Sequence, residues 1–151
     1  MAQSSKQLRI FIVDDQFIIA STLELILRQK GFNAVSFTAP RDVLEAARSE
    51  APDLLISDVA MPQFSGIDLA IRLQDLCPRC KVILLSGQVA TAGLIETARA
   101  NGYDFEILSK PVYPTDLLRK IKEVLGSDRA GHQLPAEVLI DLADAITETK
   151  G

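Results

Sequence analysis

Five short apolar runs, Leu8 to Val13, Phe32 to Phe37, Asp53 to Ser57, Lys81 to Ser86 and Phe105 to Ser109, alternate with stretches of helical periodicity. Such a strand-and-helix alternation restricts the chain to an α/β architecture. Ile10-Phe11-Ile12-Val13 and Val82-Ile83-Leu84-Leu85 are apolar at successive positions, as strands are when both faces of a parallel sheet are covered.

The helical stretches carry their own boundary signals. Ile19, Leu23, Ile26 and Leu27 fall on one face of a helix expected from about Phe17 to Lys30, and Gly31 stands where a left-handed C-terminal cap is wanted. Further helices are expected near Pro40 to Ser49, Gly66 to Leu76, Thr91 to Asn101 and Pro114 to Leu125, with Pro40 and Pro114 in first turns, where a missing N–H costs nothing. After Gly126 the polar stretch Ser127 to Gln133 reads as a linker, and a last helix is expected from Pro135 to about Thr149. In it Val138, Leu139, Leu142, Ala145 and Ile146 share one face, and Glu137, Asp141, Asp144 and Glu148 form an acidic stripe. The organisation expected is one domain over residues 1–126, with residues 127–151 a linker and amphipathic helix and no separate output domain. That helix either packs on its own domain or docks on a partner or a second copy of the chain, giving a homodimer.

Composition excludes several classes. A chain of 151 residues has room for one domain of ordinary size and a short extension. With 16 Lys and Arg against 20 Asp and Glu, the net charge of −4 offers no attraction to a polyanion, so direct nucleic-acid binding is not expected. The polar N-terminus leads into an apolar run too short for a signal peptide or a membrane span, which reads as cytoplasmic. The cysteines form Cys77-Pro78-Arg79-Cys80, but with no second pair and a single histidine, His132, they are read as packing residues rather than a redox or zinc motif.

Open α/β sheets bind ligands outside the carboxyl ends of their strands. Strand one ends in Asp14-Asp15, strand three in Asp58, strand four in Ser86-Gly87 and strand five in Lys110-Pro111. Any one of these alone is an ordinary cap or solvated residue; their joint occurrence at successive strand ends points to a site. Three carboxylates together repel one another unless a cation is present, and an all-oxygen donor set suits Mg²⁺. A carboxylate can act as nucleophile towards phosphorus, and such transfer depends on positioning and charge neutralisation. Asp58 is placed for that role, Lys110 to supply charge, Ser86 a hydroxyl donor, and Gly87 room for a phosphate to enter.

With these residues in view, residues 7 to 125 resemble the receiver domain of two-component response regulators. The acidic pair Asp14-Asp15, the element Asp58-Val59-Ala60-Met61-Pro62 with Gly66, Ser86 located 28 residues after Asp58, and Lys110-Pro111 match the family signature. The resemblance implies a flavodoxin-like, doubly wound five-stranded parallel sheet of order 2-1-3-4-5 with five helices, to which the C-terminal helix is an addition. It also implies Mg²⁺ bound by Asp15 directly, by Asp14 through water, and by Asp58 and the Ala60 carbonyl, with phosphate contacts from Ser86, Lys110 and nearby amides. The function implied is phosphoryl acceptance on Asp58 from a histidine kinase or histidine phosphotransfer protein, passed on to an unnamed downstream protein by protein contacts.

Two features depart from the family pattern. Ile107 stands three residues before Lys110, where the family usually carries an aromatic, and Ser86 and Lys110 are 24 residues apart, slightly more than usual. Tyr103 and Phe105 are near, and Phe105 falls on the same side of a strand as Ile107. Ile107 implies weaker coupling between Asp58 and the surface formed by the fourth helix, fifth strand and fifth helix. The alternative function is a receiver-like interaction module that works without phosphorylation. An aspartyl-phosphate phosphatase is disfavoured because Val59-Ala60, not a second acid, follows Asp58, and a nucleotide binder because no glycine-rich loop follows strand one.

Overall fold

The computed structural model describes residues 7–62, 64–87 and 90–126. The helix expected from Pro135 to Thr149, and all of residues 127–151, lie outside the described residues. Ten elements alternate along the chain: β1 (Arg9–Val13), α1 (Phe17–Gln29), β2 (Asn33–Phe37), α2 (Pro40–Ser49), β3 (Leu54–Asp58), α3 (Gly66–Leu76), β4 (Lys81–Ser86), α4 (Ala90–Ala100), β5 (Glu106–Ser109) and α5 (Pro114–Gly126). The five strands form one parallel sheet of order β2-β1-β3-β4-β5, as the resemblance implied.

Every boundary lies within a residue of its sequence expectation, because the stop signals are local. Gly31 adopts φ 95°, the left-handed conformation that ends α1, and Pro40 occupies the first turn of α2. Ser65 caps α3, its hydroxyl accepting the Asp68 N–H at 3.1 Å.

The sheet separates two apolar layers. Ile10, Ile12, Leu54, Ile56, Ile83 and Leu85 pack with α1 and α5, through Leu23, Leu27, Leu117 and Ile121. Phe11, Val13, Leu55, Val82 and Leu84 pack on the opposite side with Val43, Leu69, Leu73 and Ala98 of α2, α3 and α4. The period-two alternation of each strand thus divides between two cores, which explains why the strands read as unbroken apolar runs. The sheet's carboxyl edge, where the polar residues of the sequence cluster, is the edge left free by this packing. Among the described residues no helix is long and apolar enough to cross a membrane.

Candidate functional site

β1 delivers Asp14 immediately after Val13. The Asp14 N–H donates to the Phe37 carbonyl at 3.2 Å, and the side chain is fully buried at 0% exposure. One carboxylate oxygen accepts the Gln16 N–H at 2.9 Å; the other lies 3.5 Å from Lys110 Nζ. Asp15 is exposed. β3 delivers Asp58, which is 6% exposed, with its Oδ2 3.2 Å from Lys110 Nζ. The Lys110 ammonium therefore bridges the two buried acids.

Carboxylate oxygens of Asp14, Asp15 and Asp58 lie within 4.8 Å of one another. Burial raises the Asp58 pKa above the ordinary carboxylate value and outweighs the opposing pull of Lys110; Asp14 raises it further, while the Ala60 N–H, donating to the carboxylate, lowers it. The cluster sets one ammonium against three carboxylates, and burial leaves the Asp58 charge disfavoured. An all-oxygen cluster with this excess of negative charge fits a hard divalent cation such as Mg²⁺.

Ser86 is the last residue of β4. It pairs in register with Ser109, and its carbonyl accepts the Lys110 N–H at 2.9 Å, so β4 and the Lys110 backbone are joined at the edge of the site. Asp58 sits opposite Leu85, one residue before Ser86. The peptide bond from Lys110 to Pro111 is cis. All the residues singled out from strand ends therefore meet at one edge of the sheet.

Three contributions were not foreseen. Gly66 was expected only as a motif position; a Cβ there would lie 2.1 Å from the Asp58 carbonyl oxygen and 2.7 Å from Ser57 Oγ, so the start of α3 presses on the backbone that carries Asp58. Its N–H donates to the Val59 carbonyl at 2.9 Å. Ser57 is buried and donates its hydroxyl to the Asp58 carbonyl at 2.9 Å; the signal available was a small polar residue directly after the run Leu54-Leu55-Ile56 and before Asp58. Gln16 contributes a main-chain amide, which no side-chain pattern announces. Gly87 differs from expectation: a Cβ there would meet Lys110 Cδ at 3.0 Å and Cβ at 3.2 Å, so its missing side chain makes room for the lysine stem.

Ile107 is half-buried beside Leu84 in the same layer as Ile95, Ile67 and Phe105. Phe105, on that layer as its parity indicates, stacks on Tyr103 with ring centroids 6.1 Å apart. The side that usually receives an aromatic is thus filled by an aliphatic residue and a phenylalanine just outside the strand. Cys77 and Cys80 are both buried, and burial pushes both thiols above their ordinary value, strongly so for Cys80. Such thiols pack as small apolar groups and are poor thiolates.

Comparison with known proteins agrees with this geometry. Residues 10–122 match the family model described as the response regulator receiver domain. Chemotaxis protein CheY of Thermotoga maritima is 29% identical over 117 residues, which cover 77% of this chain and 96% of that protein. Transcriptional regulatory protein CreB of Escherichia coli is 32% identical over 119 residues, covering 77% of this chain and 50% of CreB. The chain likewise spans about half of TcrX, a probable transcriptional regulatory protein of Mycobacterium tuberculosis, with 49% of it covered. Among solved structures, the receiver domain of an HD domain-containing protein from Pseudomonas fluorescens superposes with a TM-score of 0.73 at 28% identity, covering 81% of this chain and 97% of that one. With its sheet order, its acidic edge and a family match over most of its length, the chain belongs to the response regulator receiver domain family of two-component signalling.

Proposed function

We propose that this receiver is a phosphorylation switch in which Asp58 accepts a phosphoryl group and hands the signal to a protein partner. The observation that carries the reading is the position of Asp58: buried, 3.2 Å from Lys110 Nζ, and within 4.8 Å of two further acids. A carboxylate oxygen of Asp58 attacks phosphorus, an O–P bond forms, and the bond from phosphorus to the donor's histidine nitrogen breaks, so that nitrogen leaves with the electron pair. Lys110, now shared between Asp58 and Asp14, turns its charge to the incoming phosphoryl oxygens, and the Ser86 hydroxyl donates to one of them. Asp14, Asp15, Asp58 and the Ala60 carbonyl are the groups that would hold Mg²⁺, which when bound offsets the charge gathered as the phosphoryl group arrives.

The donor class is a phosphohistidine protein, a histidine kinase or a histidine phosphotransfer protein, and the output is a protein contact. The role is that of a signalling switch rather than a turnover catalyst, located in the cytoplasm, with residues 1–126 as the receiver. The second reading, a module that works without phosphorylation, is favoured by Ile107 at the position that usually relays the modification. Intact-mass measurement after incubation with acetyl phosphate and Mg²⁺, on the native chain and on Asp58→Asn, tests the choice. A Mg²⁺-dependent phosphoryl adduct lost in the variant is expected; no adduct where a control receiver is labelled favours the second reading.

A further inference from the structure

We propose that Ser57 is a positioning residue for the segment from Asp58 to Ala60: by holding the Asp58 main-chain carbonyl, its hydroxyl fixes how the Ala60 amide meets the Asp58 carboxylate. The proposal deepens the phosphoacceptor reading, and its consequence for Mg²⁺ rests on that reading. Main-chain polar groups that leave a sheet must find new partners, and here each can be followed. The last β1–β3 pair is Val13 with Ser57, and the last β3–β4 pair is Leu85 with Asp58. In the peptide unit that follows Asp58, the Val59 N–H donates to the Leu85 carbonyl at 3.0 Å and the Asp58 carbonyl accepts the Ser57 hydroxyl at 2.9 Å. In the next unit the Val59 carbonyl accepts the Gly66 N–H at 2.9 Å, and the Ala60 N–H donates to the Asp58 carboxylate. Each planar unit is thus pinned at both ends, and Ser57 supplies the side-chain pin of the first.

Packing gives that hydroxyl its leverage. Ser57 is 0% exposed, and a Cβ on Gly66 would lie 2.7 Å from Ser57 Oγ and 2.1 Å from the Asp58 carbonyl oxygen. The start of α3 therefore closes over the hydrogen bond and separates it from solvent. A buried carbonyl deprived of its donor is costly, so the peptide unit turns towards another, and the turn carries the Ala60 N–H off the Asp58 carboxylate. Asp58 offers its oxygens to a cation together with Asp14 and Asp15, all within 4.8 Å of one another, so the orientation of its carboxylate decides how well the three converge. Groups that orient a metal ligand without touching the metal are commonly worth roughly ten- to hundredfold in affinity. Ser57 acts through an intervening peptide unit, which places its effect at the lower end of that range.

The test is amide NMR of the full chain, first metal-free and then titrated with Mg²⁺, on the native protein, Ser57→Ala, Ser57→Cys and Leu55→Val. In metal-free Ser57→Ala the Ala60 amide signal is expected to shift and its proton to exchange faster with solvent, and Mg²⁺ binding is expected to weaken about tenfold. Ser57→Cys, similar in size but a weaker donor, is expected to fall between that variant and the native chain. Leu55→Val trims the same buried face of β3 without removing a main-chain partner, and is expected to leave both readouts as they are in the native chain. An unchanged Ala60 amide or an undiminished Mg²⁺ affinity in Ser57→Ala would overturn the proposal, as would changes of equal size in Leu55→Val. A native chain that binds no Mg²⁺ would sink the phosphoacceptor reading instead, because the metal-free Ala60 amide still decides the role of Ser57.

Discussion

β3 and β5 each bring one half of the central ion pair to the site, but they are built differently. β3 is buried at all five positions and hydrogen-bonded on both sides, by β1 and β4, and Gly66 and Ser57 brace its last residue. β5 is a four-residue edge strand with exposed ends, and its Glu106 is held by a surface ion pair to Lys120 at 3.3 Å. Asp58 is therefore seated in the most constrained strand and the lysine paired with it follows the least constrained. Displacing β5 disturbs few buried apolar contacts, so a change of charge at Asp58 is expected to register there first.

The contrast is directly measurable. Ile56→Ala, at 0% exposure in β3, is expected to destabilise the domain by about 2 to 5 kcal/mol in urea titrations, and Ile107→Ala in half-buried β5 by roughly half as much. Equal losses would remove the distinction between the strands. Gly66→Ala is expected to lose about 1 to 3 kcal/mol, because the new methyl meets a backbone oxygen that cannot turn aside. The same titration on Gly87→Ala, where the neighbour is a flexible lysine stem, should show a smaller loss.

A smaller effect of opposite sign is expected at Asp58. Its pKa is raised chiefly by burial, so the folded state holds the carboxyl proton more tightly than the unfolded chain does. The contribution favouring folding is present below the unfolded carboxylate pKa and is lost as pH rises through the folded value. Without divalent cations, Asp58→Asn is therefore expected to stabilise the neutral-pH domain by on the order of 1 kcal/mol, and the advantage to shrink on acidification through that window. Urea titrations of both chains at acid and neutral pH check this; a gap that widens in acid would reverse the sign and assign the Lys110 pairing the larger effect.

The element order and the edge at which the candidate site residues gather were legible along the chain because their signals are local. Apolar runs, Gly31, Pro40 and the polar residues ending each strand act within a turn or two, and parallel strands bring their carboxyl ends to one edge. Local pattern does not report which of two adjacent acids is buried. Asp14 and Asp15 are chemically identical in sequence, yet Asp14 is enclosed with Lys110, 96 residues away, while Asp15 faces solvent. Nor does it reveal that Gly66 and Gly87 are spaces for neighbours, the Asp58 carbonyl and the Lys110 stem. Residue types and their order therefore carried the fold and the chemistry at its edge. Burial, charge balance and close backbone approach came from packing segments distant in the chain, since desolvation and steric exclusion arise only when those segments meet.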